Sequence, residues 1–166
     1  HLADIGFFSK GDVAAHCVWL TINEVRALAK AGVGVAHCPT SNMKLASGGV
    51  APLPEMHNEG VVVSLGTDGC SSNNGLDMFL EMKFASLMHK ANRWDASILS
   101  AQRCLDMATV EAAKCVGAEK ELGSIEPGRK ADLVILDAAS PGMVPTRPEN
   151  AVANLVYAAP SGAVRD

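Results

Sequence analysis

The chain has 166 residues, of which 48% are hydrophobic and 19% charged, with a net charge of −4. This is enough apolar material for a packed domain and too much for a disordered segment. The signs are mixed and no basic run exceeds Arg129-Lys130, which argues against nucleic acid as a partner. No apolar run approaches the roughly 20 residues that cross a bilayer, so no membrane partner is expected either, and no basic start followed by an apolar stretch marks a signal peptide.

The chain opens on His1 and stops at Asp166 just beyond an apolar stretch, so it reads as an internal piece of a longer gene product. The five cysteines, Cys17, Cys38, Cys70, Cys104 and Cys115, include no C-x-x-C pair. They read as reduced, buried thiols of a cytoplasmic protein rather than a structural zinc knot.

In chain order, the first apolar run is Val13 to Val18. Thr21 then caps a helix, with Glu24 completing a capping box, and the helix ends near Gly32. A second run covers Val33 to Cys38. The connection after it carries Pro52-Leu53-Pro54-Glu55-Met56 and stops at Gly60. The third run is Val61 to Asp68. All three runs lack alternation, as expected of strands buried on both faces in a parallel sheet.

An amphipathic helix follows, with Leu76, Phe79, Leu80, Phe84, Leu87 and Met88 on its expected apolar face. Two shorter helices are predicted, one from Ser100 through Leu105 and one from Thr109 to Gly117. Beyond a turn-rich segment, Ala131 to Asp137 has the composition of a strand. Pro141 to Pro148 reads as a rigid extended loop, and Asn154 to Ala158 as one more strand. The pattern predicts an α/β fold with a domain boundary near residue 120.

Ligands of parallel α/β folds gather at the carboxyl ends of the strands. The three runs end on His16, His37 and Asp68. Two imidazoles and a carboxylate converging on one mouth suit a zinc or iron site. His57 and His89 fall on predicted helices and are expected at the surface, Trp19 is expected to pack, and His1 is not a candidate ligand. Ser41, Asn42, Ser72 and Asn73 are expected to hold their loops through side-chain-to-backbone bonds.

Three segments occur in order: Ala15-His16-Cys17-Val18-Trp19-Leu20, His37-Cys38-Pro39-Thr40-Ser41-Asn42-Met43-Lys44-Leu45 and Leu65-Gly66-Thr67-Asp68-Gly69-Cys70-Ser71-Ser72-Asn73-Asn74. Together they resemble the amidohydrolase superfamily, and most closely the 5-methylthioadenosine/S-adenosylhomocysteine deaminase family. Gly123 to Leu133 is similar to the segment where such chains re-enter a small β-sandwich. The resemblance implies that residues 1–120 are the C-terminal half of a (β/α)8 TIM barrel, strands 6 to 8 with their helices, and that 121–166 begin the β-sandwich domain.

The resemblance also implies roles. Asp68 would ligate the metal, contact substrate and take a proton from the attacking water. His16 would contact the attacking hydroxide and the substrate rather than the metal. His37 would be structural, with substrate contact as the alternative. The implied cofactor is one zinc per complete site, with iron as an alternative. The implied partner is a purine nucleoside or related heterocycle. The family's H-x-H, its strand 5 histidine and the glutamate of its H-x-x-E are absent from this chain, so the fragment alone is expected to be inactive.

A triazine-type or other heterocycle amino- or chlorohydrolase is the runner-up. A non-catalytic half-barrel module is a further alternative, and such a half-barrel is expected to self-associate or pair with the missing barrel half. Cytidine-deaminase chemistry is set aside, because no second cysteine follows Cys38-Pro39 at the required spacing.

Overall fold

Three strands form one parallel sheet in the order β1 (Val13–Ala15), β2 (Gly34–His37), β3 (Val63–Leu65). The computed structural model describes residues 1–165. Val35 lies between Ala14 and Val63 in the register, and the ladder continues past the strands through His16 N–H to Ala36 O and Gly66 N–H to His37 O. β2 and β3 are almost wholly buried, as continuous apolar runs should be. β1 is not: Val13 and Ala15 are exposed, whereas β3, the other edge of the sheet, is covered by the helices Ala101–Ala108 and Val110–Cys115.

The first crossover is α1 (Ile22–Ala31). The Thr21 side chain accepts from the Glu24 amide while the Glu24 carboxylate accepts from the Thr21 amide, and Gly32 closes the helix at φ +70°. Short helices α2 (Pro39–Lys44) and α3 (Leu53–Asn58) make the second crossover. α4 (Cys70–Asn73) is a single turn, and α5 (Met78–Arg93) is capped by Asp77, whose carboxylate accepts from the amides of Phe79 and Leu80. α6 (Ala101–Ala108) and α7 (Val110–Cys115) follow. α7 lies close against the sheet: a Cβ on Gly34 would meet Cys115 Sγ at 2.4 Å, so β2 needs glycine there.

Several expectations are corrected. Of the expected apolar stripe, Leu76, Leu80, Phe84 and Leu87 are exposed, whereas Phe79 and Met88 are partly buried, Phe79 against the core. The inward face of α5 is Glu81, Met82, Ala85, Ser86 and His89. His89 is fully buried and His57 is half-buried, so neither is a surface residue; α5 and α3 turn them into the core. Cys70 is exposed, since it opens a one-turn helix at the rim of the sheet.

Beyond residue 120, only Ile135–Leu136 of the expected strand is regular. It pairs antiparallel as β4 with β5 (Val164–Arg165), while Leu133 and Val134 are exposed and without a partner strand among the described residues. The proline-rich stretch is turned rather than extended: Met143 N–H returns to Ser140 O at 2.8 Å. The expected strand at 154–158 is a helix, α8 (Ala151–Tyr157). It packs on α5 and α6 and places Val156 in the main core. Tyr157 OH accepts from Lys90 Nζ at 2.8 Å and lies 2.7 Å from Ser86 Oγ.

Candidate active site

The chain leaves β1 by an abrupt turn. His16 and Cys17 have φ of +67° and +50°, left-handed values that few non-glycine residues adopt. Asp68, three residues beyond β3, has φ +60°. Such conformations cost on the order of 1–3 kcal/mol each and persist only where the surroundings hold them. Here they swing the two side chains toward each other over the carboxyl end of β2. His16 Nε2 lies 3.8 Å from Asp68 Oδ2, although the strands that deliver them are not neighbours.

The holding is done by the first turn of α2. Ser41 Oγ donates to Asp68 Oδ2 at 2.7 Å, and Ser72 Oγ of α4 donates to the same oxygen at 2.8 Å. These hydroxyl bonds, led by Ser41, push the Asp68 carboxyl down to about 2. It is therefore an anion at any physiological pH. His16 Nδ1 lies 2.9 Å from Asn42 Oδ1. Ser41 and Asn42 thus bond to the side chains of the two candidate residues, not to backbone as the sequence suggested. Asn73 Nδ2 donates to Thr67 O at 2.7 Å, the loop-holding bond expected of it, while the Ser72 hydroxyl, also 3.0 Å from Gly69 O, has only one proton to give.

Below the site lies a residue that sequence reading passed over. Glu81 is 1% exposed and its carboxylate accepts from the Thr40 amide at 3.3 Å and from Asn73 Nδ2 at 2.7 Å. It ties the loop carrying Ser41 and Asn42 to the loop carrying Asp68. The available signal was a carboxylate on the helix face opposite the apolar stripe, which periodicity assigns to solvent.

His37, at the end of β2, is not brought to the pair. It is fully buried, and its Nε2 lies 3.3 Å from His89 Nε2 with the rings edge-to-face at 5.2 Å. Burial first, then the neighbouring imidazoles, pushes it down to about 3; burial pushes His57 and His89 down to about 4 each. All three are neutral bases in the fold.

A cleft of about 310 Å³ opens over His16 and Asp68, walled by Trp19, Asn42 and Leu45. Trp19 is 74% exposed, not packed in the core. Its indole N–H donates to Ser47 O at 2.9 Å and its ring lies on Gly48, where a Cβ would come within 2.0 Å. With φ +111° as well, Gly48 is required by both backbone and contact. Among the described residues no three His, Cys, Asp or Glu side chains gather as a metal-binding group.

Parallel strands that deliver an anionic carboxylate and an imidazole beyond their carboxyl ends define an α/β protein with a strand-end polar site. The family is fixed by comparison. The chain belongs to the amidohydrolase family, whose model matches residues 2–166. It is 48% identical over 165 residues to the 5'-deoxyadenosine deaminase of Methanopyrus kandleri, covering 99% of this chain and 37% of that protein. It is 50% identical over 155 residues to the 5-methylthioadenosine/S-adenosylhomocysteine deaminase of Moorella thermoacetica, covering 93% and 36%. The crystal structure of an adenosine deaminase from Xanthomonas campestris with bound zinc superposes with a TM-score of 0.91 at 39% identity, covering 98% of this chain and 36% of that one. The chain thus spans little more than a third of the length of these relatives.

Proposed function

We propose that the protein carrying this chain is a metal-dependent aminohydrolase that releases ammonia from an adenine-type nucleoside, with 5'-deoxyadenosine and methylthioadenosine as the first substrates to try. The observation that carries this reading is the Asp68–His16 pair, held 3.8 Å apart at the mouth of the cleft. The deaminases at 48% and 50% identity support the substrate class.

The residues present fit part of a metal site. Asp68 is ionised well below neutral pH and commits Oδ2 to two hydroxyls, leaving Oδ1 with no side-chain partner among the described residues. An anionic oxygen beside an imidazole suits a divalent cation of the zinc type, with iron as the alternative. A catalytic zinc needs about three protein ligands, so the remaining ligands belong to polypeptide outside this chain. When bound, the metal would lower the pKa of the attacking water toward about 7.

Asp68 takes the proton of that water as the oxygen adds to the ring carbon bearing the amine. His16 hydrogen-bonds the adding oxygen and stabilises the charge that develops there. Asp68 then returns that proton to the amine, whose bond to the ring carbon breaks with its electron pair going to nitrogen, so that ammonia leaves.

On the same reading, residues 1–120 are strands 6 to 8 of a (β/α)8 barrel and 121–166 begin a β-sandwich. The exposed Val13 on the edge strand and the exposed Leu80, Phe84 and Leu87 of α5 support cover by further polypeptide, either the rest of the barrel or a second copy. Five free thiols support a reducing, cytoplasmic setting.

The test is to incubate the zinc-loaded protein, and the same protein after chelation, with methylthioadenosine, 5'-deoxyadenosine and an aminotriazine. Ammonia from the nucleosides that chelation abolishes is the expected result. Ammonia from the triazine alone moves the assignment to the runner-up. No turnover at full zinc occupancy makes the protein a non-catalytic module. Residues 1–166 alone should release no ammonia and bind zinc substoichiometrically.

A further inference from the structure

We propose that Asn42 is a positioning residue that holds a proton on His16 Nδ1 and so makes Nε2 the working nitrogen at the cleft. The inference deepens the reading of His16 as a site residue and rests on it for its catalytic consequence.

Asn42 is 8% exposed, and its Oδ1 lies 2.9 Å from His16 Nδ1. A carbonyl oxygen only accepts, so the bond requires a proton on Nδ1. That leaves Nε2, which faces Asp68 Oδ2 at 3.8 Å, free to accept or return a second proton. A free imidazole in water has no such restriction, and a histidine that swaps tautomers would present the wrong nitrogen for part of the time.

The cost of the arrangement points the same way. Asn42 Nδ2 is buried and has no hydrogen-bond partner among the described residues. A buried, unpaired amide donor opposes folding. An apolar side chain of similar size would avoid it, so Asn42 is poorly explained as a residue kept for stability. What it alone supplies is the acceptor on His16. Its neighbour Ser41 does the corresponding task for Asp68, so one helical turn sets both strained residues.

The experiment is a long-range proton–nitrogen spectrum of the histidine rings in the protein carrying this chain, labelled on histidine, at neutral pH. His16 is assigned by the signal lost in His16→Gln. The expected wild-type signal shows Nδ1 protonated. In Asn42→Leu the fold and melting temperature hold, the His16 signals move toward the opposite tautomer, and kcat falls about 100-fold with little change in KM, the range of a lost acid–base alignment. Asn42→Asp, which keeps an acceptor, restores the protonated Nδ1.

A wild-type His16 with an unprotonated Nδ1 overturns the proposal, even if Asn42→Leu fails to fold. So does an Asn42→Leu protein whose His16 signals are unchanged. Because the ring signals are read without turnover, absence of deaminase activity would count against the proposed function and leave this result standing.

Discussion

β1 and β2 both run into a histidine at their carboxyl ends, and the two histidines have opposite fates. His16 sits one residue past an edge strand, at φ +67°, half-exposed and held by Asn42 beside an ionised Asp68. His37 is the last residue of the central strand, wholly buried against His89 and pushed down to about 3. Strand-end placement is thus necessary for a site of this kind but not sufficient. What separates the two is the turn that follows. A left-handed residue throws His16 into the cleft, whereas regular backbone leaves His37 pointing at α5.

The sharpest way to break this contrast is Asp68→Asn. Loss of a proton acceptor at the His16 mouth should lower deaminase turnover at least about 100-fold, while the melting temperature changes by only a few degrees. Wild-type-like turnover with full zinc occupancy would end the assignment of the cleft as the site.

His37→Ala should behave in the opposite manner. Emptying a fully buried side chain and leaving His89 Nε2 without its neighbour should cost about 2–5 kcal/mol in urea unfolding. Turnover per folded molecule should stay within about threefold at saturating substrate, and a selective loss of activity in a stable protein would move His37 into the site.

The pH dependence of stability separates the regions further. His37, His57 and His89 have folded values of about 3, 4 and 4, below the ordinary 6.5. The unfolded chain therefore binds more protons than the fold below pH 6.5. Stability is full above that value and is lost as pH falls toward 4, by up to about 1.4 kcal/mol per unit for each histidine. Urea midpoints at pH 7.5, 6 and 5 measure the slope, and His89→Leu should flatten it. A slope unchanged by that variant would show that the buried cluster does not govern acid unfolding.

The smallest effect belongs to the rim. Trp19→Phe removes only the indole bond to Ser47 O, at a residue 74% exposed, and should cost about 0.5–1 kcal/mol or less. A loss above about 2 kcal/mol would mean that Trp19 packs far more than its exposure indicates.

Much of the architecture was legible in the amino-acid order because it depends on neighbours along the chain. The capping box of Thr21 and Glu24, the glycine stop at Gly32 and the parallel, apolar β2 and β3 follow from local hydrogen bonding and unbroken hydrophobic runs. The strand-end placement of His16, His37 and Asp68 was legible in the same way, and the family through the resemblance of the segments that carry them. What only the tertiary structure decided depends on contacts between distant residues. The buried face of α5 carries Glu81 and His89 because they meet Thr40, Asn73 and His37. Of the expected apolar stripe, Leu80, Phe84 and Leu87 are exposed. Residues 151–157 form a helix that packs on α5 and α6, and no local signal reports partners as distant as Ser86 and Lys90, which Tyr157 meets across 71 and 67 residues. Ser41 and Asn42 reach Asp68 and His16 because three parallel strands deliver the turns that follow them to one mouth, and periodicity along one strand carries no record of its neighbours' turns.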